Sequence, residues 1–292
     1  MSETTSTVNR DTSATLALTR VQSGEDIFWA VRSGGVYAPL GMTLSELLRI
    51  PREDARATVE QAAAGEGIRV DALLAPVDPG QEVWAAGVTY LRSRDGRIEE
   101  ATDGSPYDRV YVAERPELFF KATGRRIVAD REPVGIRADS IWDVPEPELG
   151  VVIDAEGEMF GFVPGNDVSS RSIEGENLLY LPQAKVYTAS CSLGPDIVPA
   201  WLVQPPFGIT MTITRYGNTV FEGATSTDAM ARTLPDLASW LFRSLDFPDG
   251  TIMLTGTGIV PGADFTLMPG DEVTIDIAGV GSLTNPVINV GR

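Results

Sequence analysis

From Glu82 onward the chain is a succession of short runs in which apolar and polar positions alternate, broken at close intervals by Gly and Pro. That period-two pattern predicts strands. It places them at Val83–Val88, Leu118–Lys121, Glu148–Asp154, Phe160–Val163, Gly208–Tyr216, Thr219–Glu222, Thr251–Thr255 and Glu272–Ile277. Two stretches change period. Tyr90–Thr102 is rich in Arg and Glu, and Thr227–Leu245 carries Leu234, Leu237, Leu241 and Leu245 at helical spacing, so both are expected as helices. The first lies directly after a strand and suits a lid over a site. The preceding part of the chain mixes both periods. Strands are expected at Ala14–Arg20, Ile27–Val31 and Val36–Leu40, the last two joined by a turn at Ser33-Gly34-Gly35. Thr43-Leu44-Ser45-Glu46 has the capping-box pattern, and Pro51 opens a second helix that ends near Gly65. Leu73–Gly80, with prolines at 76 and 79, reads as a linker that packs as it crosses. The expected class is α+β, mainly β, with residues 1–79 forming a small N-terminal α+β domain with its linker and 80–292 a larger, mainly β domain.

A length of 292 residues at 43% apolar composition supports a substantial core, and no run of about 18 or more apolar residues marks a membrane span. The opening residues lack the basic start and apolar run of a signal peptide and read as an unstructured lead. A formal charge of −18 argues against nucleic acid or an anionic membrane as partner. It leaves an anionic small molecule open, because a bound cation and a few arginines can dominate locally. Only Lys121 and Lys185 are lysines. A GC-rich genome and a salt-adapted cytoplasm both account for that, and either way each lysine merits inspection. The one cysteine, Cys191, excludes an internal disulfide and fits a reducing, cytoplasmic setting as core filler.

The chemistry-bearing feature is a set of carboxylates in a chain with no histidine. Glu146 and Glu148 are two apart, so a strand there projects both side chains from one face. Two carboxylates at the entrance to the apolar run Leu149–Ile153 are costly unless a cation or a proton lies between them. Asp167, in what reads as a Gly-Asn-Asp turn, can deliver a third oxygen. All-oxygen ligation selects Mg²⁺, Mn²⁺ or Ca²⁺, and one Cys with no His disfavours a tetrahedral zinc site. Surface salt bridges to arginines are the competing account of the glutamates.

The same segment resembles the fumarylacetoacetate hydrolase family. The resemblance is carried by Glu146-x-Glu148-Leu149, by Gly161 through Asn166-Asp167-Val168-Ser169-Ser170-Arg171, by Ala184-Lys185 and by Gly194-Pro195. It continues through Leu254-Thr255-Gly256-Thr257-Gly258, Met268-Pro269-Gly270-Asp271 and Gly279-Val280-Gly281, in order, over about Val83 to Val290. It implies a mixed β-roll catalytic domain, Mg²⁺ (or Mn²⁺) held by Glu146, Glu148 and Asp167, and assembly as a homodimer or homotetramer.

Family members that cleave carbon–carbon bonds carry a His–Glu pair on the lid to activate water, and the matching positions here are Ser93 and Gly96. The segments around Gly87–Arg94 and Glu114–Thr123 are instead similar to the 2-keto-3-deoxy-D-arabinonate (D-xylonate) dehydratase branch. That likeness implies a hydro-lyase acting on a 2-keto sugar acid chelated through its carboxylate and keto oxygens, with 2,5-dioxopentanoate as product. Lys185 is then the base, since a cation beside it favours the neutral amine. Glu117 protonates the departing hydroxyl, Thr257 binds the substrate carboxylate, and Arg92 and Tyr90 contact the distal hydroxyls. The alternatives are an acylpyruvate or diketo-acid hydrolase, an oxaloacetate decarboxylase of the same family, and a non-catalytic metal-binding relative. Gly256-x-Gly258-x-x-x-Gly262 is not a dinucleotide fingerprint, being one residue too long and followed by prolines.

Overall fold

The computed structural model describes residues 16–92 and 105–292. Its strands are β1 (Leu16–Ser23), β2 (Asp26–Ser33), β3 (Val36–Pro39), β4 (Ala72–Leu74), β5 (Glu82–Gly87), β6 (Glu117–Thr123), β7 (Val134–Arg137), β8 (Asp143–Val144) and β9 (Pro147–Ile153). They continue with β10 (Met159–Asp167), β11 (Ser169–Ser170), β12 (Cys191–Leu193), β13 (Asp196–Pro199), β14 (Gly208–Arg215), β15 (Asn218–Ser226), β16 (Thr251–Leu254), β17 (Glu272–Ile277) and β18 (Gly281–Val290). Most lie in two sheets. One has the order β3-β2-β1-β13-β10-β9-β16-β5-β6, with β12 on β10 and β4 on β1. The other runs β15-β14-β17-β18-β7. The fold is therefore α+β and mainly β, as the short alternating runs predict.

β9 explains how the layers stack. Every residue from Pro147 to Ile153 is buried, so the strand is covered on both faces and reads as an unbroken apolar run. Leu149, Val151 and Ile153 point into a core shared with Ile209, Met211, Ile213 and Ile275 of the second sheet and with Leu237 and Leu241. Val152, on the opposite face, joins Leu18, Trp29, Leu44, Leu47 and Val59. The N-terminal strands are thus not packed on a core of their own alone. β1 pairs antiparallel with β13, Leu18 opposite Ile197, and so extends the same sheet.

Local expectations hold where the signal is short-range. Thr43 caps the Leu44–Leu47 helix and Glu46 completes the box. Pro51 is the N-cap of Arg52–Ala63. Three expectations need correction. Within the supposed linker, Ala72–Leu74 pairs with β1 as β4. Beyond it Asp78 accepts from Trp29 Nε1 at 2.7 Å and from Ser45 N at 2.8 Å, which ties the crossing to the core. The long helix over Thr227–Leu245 is only Leu234–Leu241. Thr233 caps it, and Pro235, lacking an N–H, fits only a first turn. Finally, Ser105–Val112 is a helix that the polar pattern does not announce, while most of the Tyr90–Thr102 expectation lies outside the described residues.

Candidate metal centre and active site

The site is built where β9 and β10 run side by side. Their register sets Gly165 opposite Glu148 and Asn166 opposite Pro147. Pairing continues one step further, because Asp167 N donates to Glu146 O at 3.0 Å and Glu146 N to Asn166 Oδ1 at 3.1 Å. Asp167 is therefore the last residue of a strand, not part of a turn. The Pro-Gly-Asn segment that reads as a turn stays extended for a local reason. β10 pairs with β13 at Gly161 and Phe162 and with β12 at Gly165 to Asp167. Pro164 falls between these ladders, where a missing N–H costs little.

This register brings one carboxylate oxygen each from Glu146, Glu148 and Asp167 within 4.8 Å of one another. All three residues are buried, at 3%, 2% and 0% exposure. Glu148 Oε2 accepts from Gly256 N at 2.7 Å. Gly256 has φ +86°, and a side chain there would collide with Thr89 Oγ1, so the Gly-Thr-Gly loop can approach only as glycine. Burial, with Asp167 and Glu146 adding, holds the Glu148 carboxyl well above the usual carboxylate range. Negative charge is concentrated here beyond what the peptide around it solvates.

Cationic side chains surround the cluster. Lys185, at the end of the Leu181–Lys185 helix, places Nζ 2.5 Å from Glu146 Oε2, 3.1 Å from Asp167 Oδ2 and 2.6 Å from Ser169 Oγ. Arg171 donates to Glu146 Oε1 at 2.6 Å and reaches Glu174 Oε2 at 3.5 Å. Lys121 is ion-paired with Asp167. The donor set fits a hard divalent cation: three converging carboxylates, no imidazole, and a sole thiol, Cys191, that burial pushes up to about 12 and so keeps protonated.

Beside the cluster is a cavity of about 280 Å³ lined by Pro106, Val110, Glu117, Glu174, Leu178 and Leu181. Glu117 begins β6 opposite Gly87 of β5. A Cβ on Gly87 would lie 2.0 Å from Glu117 Oε2, so the carboxyl rests on the bare glycine. Gly87→Ala should displace Glu117 with little change in thermal midpoint, since the clash is with a flexible chain end. Turnover should fall by about 10- to 100-fold, as expected for a mispositioned proton donor. Equal turnover in parallel assays of the two proteins would remove Glu117 from the chemistry.

The remaining expected site residues are distributed unevenly. Thr257 is buried, and its hydroxyl is engaged with the main chain of Ile259, accepting from N at 3.1 Å. Tyr90 is not on a surface. It packs against Gly258, where a Cβ would lie 2.7 Å from its Cδ1, and its hydroxyl is buried without a hydrogen-bond partner among the described residues. Burial first, then Glu148 and Asp228, push its phenol upward, which places the ring in reach of the carboxylates' field. Arg92 is exposed. Ser93 and Gly96, the lid positions that stand for His and Glu, lie outside the described residues. Sequence reasoning assigned no role to Arg171, Glu174 or Ser169. The signal for Arg171 was present, since it closes the Asn-Asp-Val-Ser-x-Arg motif.

A model of the fumarylacetoacetate (FAA) hydrolase C-terminal domain matches residues 83–288. The chain belongs to the fumarylacetoacetate hydrolase family. Within it, the chain is 50% identical over 217 residues, 74% of either protein, to a probable 2-keto-3-deoxyxylonate dehydratase of Haloferax volcanii. It is 44% identical over 218 residues, 73% of either protein, to a 2-dehydro-3-deoxy-D-arabinonate dehydratase of Saccharolobus solfataricus. Among solved structures, a 2-keto-3-deoxy-D-arabinonate dehydratase complexed with magnesium and 2,5-dioxopentanoate matches with a TM-score of 0.80 and 34% identity. That match covers 94% of this chain and all of the other. The candidate site lies where the sheet brings the Glu-x-Glu strand and the Asn-Asp segment together.

Proposed function

We propose that this protein is a metal-dependent hydro-lyase that dehydrates 2-keto-3-deoxy-D-arabinonate to 2,5-dioxopentanoate. The D-xylose and D-arabinose derivatives are the same compound once the stereocentres at positions 2 and 3 are gone. The observation that carries this reading is the buried Glu146–Glu148–Asp167 set with Lys185 on two of its members, beside a cavity that holds Glu117. Identities of 50% and 44% to dehydratases of this substrate class support it. Glu146, Glu148 and Asp167 would hold Mg²⁺ or Mn²⁺. When bound there, the cation polarises the carboxylate and keto oxygens of the acid, acidifies the neighbouring methylene, and competes with the Lys185 ammonium for Glu146 and Asp167.

The chain's own groups divide the remaining work. Lys185 Nζ, freed as an amine, takes a proton from C3. Glu117, in an apolar-walled cavity, delivers a proton to the C4 hydroxyl, which leaves as water. A proton then moves from C5 to C3, and the resulting enol becomes the aldehyde. The Thr257 hydroxyl turns from Ile259 to the substrate carboxylate. Tyr90, buried and unpartnered, offers its O–H to a distal hydroxyl, with Arg92 nearby in sequence. The absence of any histidine disfavours the hydrolase alternative, which needs a water-activating base. A decarboxylase has no use for a proton donor opposite a leaving hydroxyl.

The family match begins at residue 83, which supports 80–292 as the catalytic unit and 1–79 as an addition that extends its sheet. The family resemblance supports a homodimer or homotetramer. A lone buried thiol supports a cytoplasmic setting. Among the described residues no helix is long and apolar enough to cross a membrane. The deciding experiment is Mg²⁺-dependent conversion of 2-keto-3-deoxy-D-pentonate, followed with a coupled semialdehyde dehydrogenase. EDTA-sensitive formation of 2,5-dioxopentanoate is expected. Pyruvate release from acylpyruvates with no dioxopentanoate formed would replace the dehydratase by a hydrolase.

A further inference from the structure

One of the chain's two lysines has no part in that chemistry. Lys121 sits in β6 with 0% of its surface exposed, and it lies at the same centre as Lys185. Besides its ion pair to Asp167, its Nζ donates to Val168 O at 3.2 Å and to Lys185 O at 2.5 Å. Of the ammonium's three N–H donors, two bond main-chain carbonyls, and its charge is paired with Asp167. The partners are not scattered. One is a carboxylate of the metal set, one is the next main-chain carbonyl, and one is the carbonyl of the base itself. The same strand places Phe119 with its ring 5.5 Å from Lys185 Nζ. Ser190 Oγ is a second donor to Lys185 O, at 2.9 Å, so the base's main chain is held from two sides.

Charge parity gives Lys121 a second consequence. Within this cluster, with every group counted as ionised, the carboxylates Glu146, Glu148, Asp167 and Glu174 exceed the cations Lys121, Lys185 and Arg171 by one. As long as Lys185 still carries its proton, a divalent cation converts that deficit into a single excess positive charge, and the carboxylate of an arriving keto acid cancels it. Without Lys121 the cation-loaded cluster would already be neutral before an acid arrived.

We propose that Lys121 is a positioning residue of this centre. It holds Asp167 and the main chain of Lys185 in one arrangement and supplies the charge that makes the cation-loaded site attract a monoanionic 2-keto acid. The inference rests on the metal reading above. It differs from a merely structural role in the sign of one effect. Loosening a ligand weakens cation binding, whereas removing a positive charge beside it strengthens cation binding.

The test uses the full chain and two probes, Mn²⁺ and 2-oxopentanoate, which has no hydroxyl to lose. Lys121→Met should bind Mn²⁺ about tenfold more tightly by calorimetry and show a larger thermal shift on Mn²⁺ addition than wild type. In the presence of Mn²⁺ it should bind 2-oxopentanoate about tenfold more weakly. Its kcat should fall by about 100-fold, the scale of a 1 Å misplacement of a reacting group. Ser190→Ala, which removes a donor to the same carbonyl without changing charge, should leave Mn²⁺ affinity within about twofold and lower kcat by about 3- to 10-fold. It keeps the positioning claim testable if Lys121→Met does not fold, and an unchanged kcat in it would overturn that claim. Lys121→Met that binds Mn²⁺ more weakly, with thermal midpoint and kcat falling in parallel, overturns the proposal and leaves the metal reading standing. A wild-type protein that binds no Mn²⁺ overturns both.

Discussion

Lys185→Ala should lower turnover of 2-keto-3-deoxy-D-pentonate by about 10³-fold, in the middle of the range for a general base. Its Nζ touches Glu146, Asp167 and Ser169 and lies over the Phe119 ring, and no other described amine is near enough to replace it except Lys121, which is fully buried, paired with Asp167 and bonded to two main-chain carbonyls. The same change should have a second, opposite-looking effect. Removing a cation from between two buried carboxylates leaves Glu146 with Arg171 alone and Asp167 with Lys121 alone in the metal-free chain, and buried charge that is less compensated is destabilising. A divalent cation restores the balance. The variant should therefore be less stable than wild type in EDTA, recover most of the difference in excess Mg²⁺, and bind Mn²⁺ at least as tightly. Steady-state kinetics combined with thermal melts in both conditions checks this. If Lys185 were only a salt bridge, turnover would return with stability when Mg²⁺ is added, and the base would have to be sought elsewhere.

Glu148→Gln carries the second large effect. Glutamine keeps an oxygen for the Gly256 N–H, now 2.7 Å from Glu148 Oε2, so the Gly-Thr-Gly loop should stay in place. What is lost is one of the three anionic groups proposed to hold the cation. Removing outer-shell partners of a metal costs about 10- to 100-fold in affinity, so a ligand should cost about 100-fold or more. Turnover should then require proportionally higher Mg²⁺. The stability of the metal-free chain should move the other way. Burial, Asp167 and Glu146 raise the Glu148 carboxyl in the folded state. Its contribution is therefore present below the unfolded carboxylate range and is lost as pH rises through the raised folded value. The neutral amide removes that loss, so Glu148→Gln should be more stable than wild type in EDTA at neutral pH. A variant that melts lower in EDTA and still turns over at wild-type Mg²⁺ concentrations would show that Glu148 is not a ligand.

How far the site was legible can be read residue by residue. Glu146, Glu148 and Lys185 were visible because carboxylates two apart before an apolar run, and a rare lysine, are anomalies in one dimension. Asp167 was visible as a candidate ligand and misplaced as structure. Pro164-Gly165-Asn166 has turn composition, and what keeps it extended is a change of partner strand, from β13 to β12, that no local pattern encodes. Tyr90 was expected on a lid and is buried against Gly258, because burial depends on what packs over a residue, not on the polarity of the segment that follows it. Lys121 was noticed for its rarity and for its place on an apolar strand, as a candidate support of the site whose role could not be ranked. Its partners are 46 to 64 positions away in sequence.

The amino-acid sequence by itself determined the mainly β class, the capped first helix at Thr43, the apolar β9 strand, and the donor chemistry of a site with many carboxylates and no imidazole. These follow from side-chain period, cap geometry and ligand type, all of which act over a few residues. The tertiary structure alone decided that β1 joins the catalytic sheet through β13, that Gly87 leaves room for the Glu117 carboxyl, and that both lysines converge on Asp167. Each of these is a contact between distant segments whose energy depends on register and close packing, and a one-residue shift in strand pairing would turn the same side chains to the opposite face.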